Sequence, residues 1–533
     1  MVNFIKRNKK ICFVILCIFA VLVMYGSSLW GDFVYDDRTI VAHQGFLENP
    51  LNWSQVLVTP YWNIESGAYR PTTVFSYGLN YFIFGSGAIS FHFVNILLYL
   101  LSGYFLFLLI KRLFPKRELL AYLSTFLFLI LPIHTEVVAN IVGRAEILAL
   151  LFSILGLLEL LKRAPNKWLI TLWFLLAMGS KETAVAILPV AFLIVWHKKK
   201  NFKKILTKNV LENLWFPSIL SVFTYFSIRF WVLGQHFFTN TATLVENSLK
   251  FVSFPERIFT SLKILSLYIT KTVLPFNLCS DYSFNQIPIE KSFFSPDVMF
   301  GFLVLTSSVF GIFYFFKKKF EISLALTFFL FPFLIISNLL TPIGTIMGER
   351  LFYFSSVGFV ILIASFIVFA KDNINSQIIK RCGFIILILI STFYVVRSFD
   401  RSLDWMTEEK LFISAGKCAS QSVLSLSNLA TVHYFKEEYE KAEEIILDSY
   451  EIYDGYTKAN NNLGLIYWKT NRLEEAKEQY LKTFLNYPPY EGVYENLVLF
   501  YLSQDNREEA EKWMKIGQIF IRSAGSGISH TER

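Results

Sequence analysis

KKICFVILCIFAVLVMYGSSLWGDFVYDDR, residues 9–38, is an apolar run that ends in acids. Residues 11–31 carry no charge, and then Asp32, Asp36 and Asp37 arrive within six positions. A helix of about 20 apolar residues matches the hydrocarbon thickness of a bilayer. Lys6, Arg7, Lys9 and Lys10 precede the run, which is longer than a signal-peptide core and reads as an uncleaved first span. The acids therefore open the first water-exposed loop.

The remainder of the chain has the same character. Of its 533 residues 54% are hydrophobic, 17% aromatic and only 17% charged, against roughly 25% charged in a soluble domain. The composition is that of a polytopic membrane protein. The net charge of +9 does not indicate nucleic acid, because Lys and Arg cluster between apolar runs. The five cysteines, Cys12, Cys17, Cys279, Cys382 and Cys418, form no CxxC or Cys/His spacing, so neither a disulfide framework nor a zinc site is expected.

Spans are expected near 11–30, 91–110, 119–133, 146–161, 168–179, 184–197, 211–231, 297–316, 322–340, 351–370 and 382–398. Basic clusters then mark every return to one side: Lys111-Arg112-Lys116-Arg117, Lys162-Arg163-Lys167, Lys198 to Lys204, Lys317-Lys318-Lys319 and Lys371-Lys380-Arg381. Roughly two dozen Lys/Arg fall there against about ten opposite, which makes that side cytoplasmic. Residues 255–275 are apolar but carry Arg257, Lys263 and Lys271, and read as an amphipathic helix in the outer interface. This parity puts five polar segments on the extracytoplasmic side: GDFVYDDR, LPIHTEVVANIVGRAE (131–146), GSKET (179–183), CSDYSFNQIP (279–288) and IMGER (346–350). A transporter would place such groups within its spans.

After the last span Asn428, Asn462 and Asn496, Leu429, Leu463 and Leu497, and Ala442, Ala476 and Ala510 recur at 34 residues. That is the period of the tetratricopeptide repeat, whose small residues let two helices pack closely. About three repeats, near the minimum for a stable stack, occupy 423–524, after a connecting helix at 403–422 and before a disordered tail at 525–533. The fold class is all-α: a membrane bundle over 1–402 followed by a short solenoid that can hold a protein partner.

The motif order YDD, YRP (69–71), PIHTEVVANIVGRAE, SKE, DYS…IP, GERLFYFSSVGF and DW..E..L (404–411), followed by the repeats, resembles the transmembrane-and-tetratricopeptide-repeat-containing glycosyltransferases. The resemblance covers essentially the whole chain. It implies a GT-C-type bundle, a polyprenyl- or dolichyl-phosphate sugar as donor and O-glycosyl transfer, as in O-mannosyltransferases, to protein Ser or Thr. Such a donor is already activated. The enzyme must take a proton from an acceptor hydroxyl and stabilise the departing phosphate.

Asp36 or Asp37 is the candidate base; adjacent side chains diverge, so the other can orient Arg38 or a metal, and the plainer reading is a helix N-cap. His134 and Glu136 can polarise the acceptor, hold the first-loop acid, bind a metal, or simply close a helix end. Arg144, Lys181 and Arg350 are candidate phosphate ligands, against pairing of Arg144 with Glu146, pairing of Lys181 with Glu182, and snorkelling of Arg350. Arg70, Glu182, Asp281, Tyr282 and Glu349 are candidates for the sugar or acceptor pocket. No cofactor is firmly implied, although a divalent metal near Asp37 and Glu136 fits the residue types. Expected partners are the lipid-linked sugar, a protein or peptide on the repeats, and membrane lipids, but no nucleic acid. The expected location is a bacterial inner membrane with extracytoplasmic repeats, or an endoplasmic reticulum membrane with lumenal ones. A lipid or glycan acceptor, and a non-catalytic repeat scaffold for envelope assembly, remain alternatives.

Overall fold

Each stretch expected to span is helical. The computed structural model describes residues 8–42, 45–62, 66–200, 206–238 and 241–524; the expected tail at 525–533 and Lys6, Arg7, Lys203 and Lys204 of the basic clusters lie outside them. Among the described residues seven helical stretches are long and apolar enough to cross a bilayer: Lys9–Trp30, Ala88–Leu113, Ile141–Leu160, Lys208–Phe238, Pro296–Phe316, Glu349–Asn373 and Gln377–Asp404. An eighth is Glu118–Ile130 continued by Pro132–Ala139 across a 55° bend. Pro132 causes the bend, since it cannot donate to the helical ladder and its ring crowds the preceding turn. The other three expected spans are the shorter helices Lys167–Ser180, Ile187–Lys199 and Phe320–Ile336. No strand occurs among the described residues. The all-α reading, a membrane bundle followed by repeats, is borne out.

Two features depart from the sequence reading. Pro71–Phe84 forms a helix where no element was expected. Its Thr73, Val74, Tyr77 and Asn80 are buried while Phe75, Phe82 and Ile83 are exposed, and Pro71 occupies the first helical position, where its missing N–H has no partner to lose. Second, Cys279 and Cys418 are disulfide-bonded, whereas Cys12, Cys17 and Cys382 are free. No CxxC or Cys/His spacing marks either of the bonded cysteines.

The chain forms two compact units. The first comprises 1–241, 252–280 and 289–411, and the second 242–251, 281–288 and 412–533. In the first unit the helices approach closely at glycines. A Cβ on Gly358 would stand 2.2 Å from the carbonyl oxygen of Ala325, and one on Gly301 would stand 2.0 Å from that of Leu262. The second contact packs Pro296–Phe316 against the helix Phe254–Val273, whose start is closed by a capping box between Ser253 and Glu256.

In the second unit three helix pairs run from Val423 to Ala524: Val423–Phe435 with Tyr439–Ile452, Thr457–Lys469 with Leu473–Asn486, and Glu491–Leu502 with Arg507–Ala524. Ala442, Ala476 and Ala510 are buried where paired helices meet. The repeated asparagines link successive pairs. Asn462 donates to Thr431 Oγ1 (3.0 Å), and Asn496 donates to Asn461 Oδ1 (2.9 Å).

Gly358→Leu is expected to separate Tyr353–Asn373 from Phe320–Ile336 and to destabilise the bundle by about 1–3 kcal/mol or more, as overpacking does. Thermal unfolding of purified protein in detergent checks it; Gly383→Leu, with open space at its Cβ, is the control and is expected to leave the midpoint unchanged.

Candidate active site

The two ends of the bundle gather different residues. At one end Lys111 pairs with Glu118 (2.8 Å), Arg117 with Glu321, and Arg112 donates to the carbonyl of Leu161 (3.2 Å). The His197 ring stacks on Phe320 with centroids 3.6 Å apart. These are the loops that carry the basic clusters. The polar segments of the first unit meet at the opposite end, as the parity of the spans requires.

The first loop sets up the site. Val34 to Asp37 form a tight turn in which Asp37 N–H donates to Val34 O (3.0 Å). Tyr35 takes a left-handed φ of 51°, a conformation rarely adopted by a bulky residue. The turn sends the two acids apart. Asp37 is fully buried. Its carboxylate accepts backbone N–H groups from Val142 (2.8 Å), Ile141 (3.3 Å) and Val34 (3.4 Å). Burial pushes its pKa up to about 7, aided by the neighbouring Asp36 and opposed by the three N–H donors.

Asp36 instead faces Arg350, whose Nη1 lies 3.2 Å from Oδ2. Arg350 Nε also lies 3.5 Å from Glu136 Oε1, and its backbone N–H donates to Glu136 Oε2 (2.9 Å). The side chains of Asp36 and Arg350 keep 13% and 29% exposure, while Glu136 keeps 5%. The Pro132 bend carries Glu136 to this end, and Gly348 introduces the turn Glu349–Phe352 that carries Arg350.

Two more ion pairs extend the cluster. Lys181 grips Glu146 in a buried pair. Burial lowers the Lys181 pKa, with Arg70 and Arg350 adding to the effect and Glu146 and Glu182 opposing it. Arg70 makes a two-point contact with Glu182, at 3.1 and 2.9 Å, and lies over the Tyr61 ring at 4.6 Å. Burial alone would lower the Arg70 pKa and raise that of Glu182; their mutual attraction outweighs it, so Arg70 moves up and Glu182 down. The buried Tyr61 hydroxyl, pushed up to about 12 by burial, feels Arg70, Glu146 and Asp36. Four carboxylates (Asp36, Glu136, Glu146 and Glu182) thus surround three cations (Arg70, Lys181 and Arg350). Glu146 was named from sequence only as a possible partner of Arg144, and Tyr61 was not singled out. A carboxylate inside an apolar run was the available signal for Glu146; Tyr61 offered none.

Other expected site residues sit elsewhere. His134 is a core residue: Tyr99 and Ser356 bond its two ring nitrogens at 2.9 and 2.8 Å, and Phe128 and Tyr353 pack on it. Arg144 is fully buried. It donates to Asn95, Asn80 and the carbonyls of Ser76 and Phe91, at 2.7–3.2 Å. It is therefore not placed to meet a phosphate, and Glu146 pairs with Lys181 rather than with it. Glu349 is buried and accepts the N–H of Cys279 (2.5 Å).

Asp281 belongs to the second unit. Its carboxylate is occupied by Ser283, Ser422 and Ser425, which brace the start of the first repeat helix. The neighbouring Tyr282 is buried in the same segment. Arg38 pairs with Glu408 (2.7 Å), not with an aspartate. Among the described residues no group of three or more His, Cys, Asp or Glu side chains could hold a metal ion. Asp37, with its oxygens facing backbone donors, offers nothing to the metal considered beside Glu136.

Residues 71–223 match the family model described as dolichyl-phosphate-mannose-protein mannosyltransferase, and 457–483 match that of the tetratricopeptide repeat. The chain is 30% identical over 476 residues to Protein O-mannosyl-transferase TMTC4 of Homo sapiens, covering 78% of this chain and 62% of the relative. It is 27% identical over 431 residues to Protein O-mannosyl-transferase F38B6.6 of Caenorhabditis elegans (76% and 58%). It is 24% identical over 472 residues to Protein O-mannosyl-transferase TMTC3 of Mus musculus (82% and 50%). The chain spans about half to three fifths of these relatives' length. The resemblance carried by the motifs is borne out.

The two first-loop acids are expected to separate by substitution. Asp37→Asn keeps one acceptor but turns an amide N–H toward backbone donors, and should cost about 1–3 kcal/mol. Asp36→Asn should leave the unfolding midpoint nearly unchanged. The raised Asp37 pKa favours folding below about pH 4, and that contribution fades as pH rises through about 7. The Asp37→Asn deficit should therefore be larger at pH 5 than at pH 8, as read by thermal unfolding of both proteins in one detergent.

Proposed function

We propose that this protein is a membrane glycosyltransferase that moves a sugar from a polyprenyl- or dolichyl-phosphate donor to a Ser or Thr hydroxyl of a protein, on the extracytoplasmic side. The observation that carries the reading is the Asp36 carboxylate, still 13% exposed and bonded to Arg350 (3.2 Å) at the acidic end of the bundle. The other first-loop acid, Asp37, is sealed against backbone. The acceptor hydroxyl gives its proton to Asp36 as its oxygen attacks the anomeric carbon. The bond from that carbon to the phosphate oxygen breaks, and the phosphate leaves with the electron pair. Attack opposite the leaving group inverts the anomeric centre. Arg350, bonded to the acid, is the cation placed to meet the phosphate charge, with Lys181 within charge–charge range of Arg350. Glu136 positions Arg350 through both its backbone and its side chain, while Arg70, Glu182 and Tyr61 border the space for sugar or acceptor.

The relatives are named protein O-mannosyl-transferases, which supports mannose as the first sugar to test and protein as the acceptor. The sidedness rests on the basic clusters at the far end. Disulfide-bonded Cys279 and Cys418 add support, since such bonds persist in oxidising compartments. Asp32 N–H donates to Met406 O (2.9 Å) and Arg38 pairs with Glu408. The last residues of the first unit thus meet the loop that carries Asp36.

Purified full-length protein offered a panel of polyprenyl-phosphate sugars and a Ser/Thr-rich protein acceptor is expected to consume one donor. Asp36→Asn should lower turnover by about 10²–10⁴-fold, the usual worth of a positioned base, with unfolding unchanged. Normal turnover in that variant would remove Asp36 from the mechanism.

A further inference from the structure

The end of the bundle away from Asp36 carries a second chemical feature. A groove of about 630 Å³ opens between Ala88–Leu113, Arg144–Leu160 and Lys167–Ser180. Leu108, Leu155, Leu158 and Trp173 form its apolar wall, and Arg112 and Lys162 stand at its mouth. Trp173 is held by stacking on Phe152, with centroids 5.8 Å apart and planes at 15°. The wall is an acyl-chain surface, because nothing along it offers a polar contact until the charged mouth is reached.

The mouth is not charge-balanced. Glu159 is buried, pairs with Lys162 and accepts the N–H of Asn166 (3.2 Å), so it has little left for another cation. Lys111 is taken by Glu118 (2.8 Å). Arg112 donates one N–H to Leu161 O (3.2 Å) and has no carboxylate partner among the described residues. Lys198 lies within charge–charge range of the same guanidinium. Arg112 and Lys198 are therefore in excess, at the level where a basic loop meets the headgroups of the membrane.

We propose that this groove is a binding site for an anionic phospholipid. One acyl chain lies along the leucine wall, and the phosphodiester meets the free N–H groups of Arg112, with Lys198 supplying further positive charge. A guanidinium presents two N–H groups to a phosphate in a fixed fork, and basic pockets between membrane helices on the cytoplasmic side suit acidic headgroups. A zwitterionic lipid carries its own cation and gains less from the excess charge. The site stands apart from the transfer chemistry and does not depend on it. Its effect is to tie the ends of three helices together.

Native mass spectrometry of the full chain in detergent tests this, with phosphatidylglycerol and phosphatidylcholine of identical chains titrated separately. Phosphatidylglycerol is expected to bind more tightly and to raise the unfolding midpoint. Arg112→Gln should cut its affinity about tenfold, roughly one charge-assisted hydrogen bond, while leaving phosphatidylcholine nearly unaffected. Leu158→Trp, which fills the groove without touching charge, should abolish binding of both lipids at this site. Lys317→Gln, on the same end but outside the groove, is expected to change neither. The unfolding midpoint of each variant without added lipid reports folding independently. Equal affinity for the two lipids, or equal losses from Arg112→Gln and Lys317→Gln, would overturn the proposal; so would phosphatidylglycerol binding undiminished by Leu158→Trp.

Discussion

The Asp37 carboxylate fastens the first outer loop to the backbone of Ile141 and Val142, where one helix gives way to the next. Three N–H donors converge on it in a site closed to water. A carboxylate accepting several backbone N–H bonds is a directional clamp, since each bond constrains the position of the chain that donates it. The clamp fixes the turn at Tyr35, and the turn aims Asp36 at Arg350. Without it the loop would have no reason to hold its second acid over the helix that begins 314 residues later.

Around this clamp the bundle places charge unevenly. At the acidic end Asp36 with Arg350, Glu146 with Lys181, and Glu182 with Arg70 join segments distant in sequence. Burying such groups is costly, and the cost is offset only where each charge has a well-oriented partner. The pairs are therefore better understood as fixing which helix ends meet than as a source of net stability. Asp36 and Glu136 share Arg350, so the carboxylates of this cluster outnumber its cations by one.

The opposite end differs. There, among the described residues, Arg112 lacks a carboxylate partner. The basic loops lie at one end and the paired acids at the other. The repeat unit obeys a separate rule: alanines at the 34-residue period let paired helices pack closely, and asparagines carry polar links from pair to pair.

The sequence by itself determined the helical class, the apolar helices of the bundle and the period of the repeats. These are local properties: the length of an apolar run, its flanking charge and a recurring residue pattern. It also narrowed the site to a short list that holds Asp36, Glu136, Lys181 and Arg350. Only the tertiary structure decided which acid of the first loop is sealed and which faces Arg350. It likewise moved His134 and Arg144 into the core, removed Asp281 to the repeat unit, paired Glu146 with Lys181 and revealed the helix Pro71–Phe84. Each of these outcomes depends on which helix ends become neighbours. Charged side chains follow the partner that packing delivers, and no spacing along the chain encodes that partner.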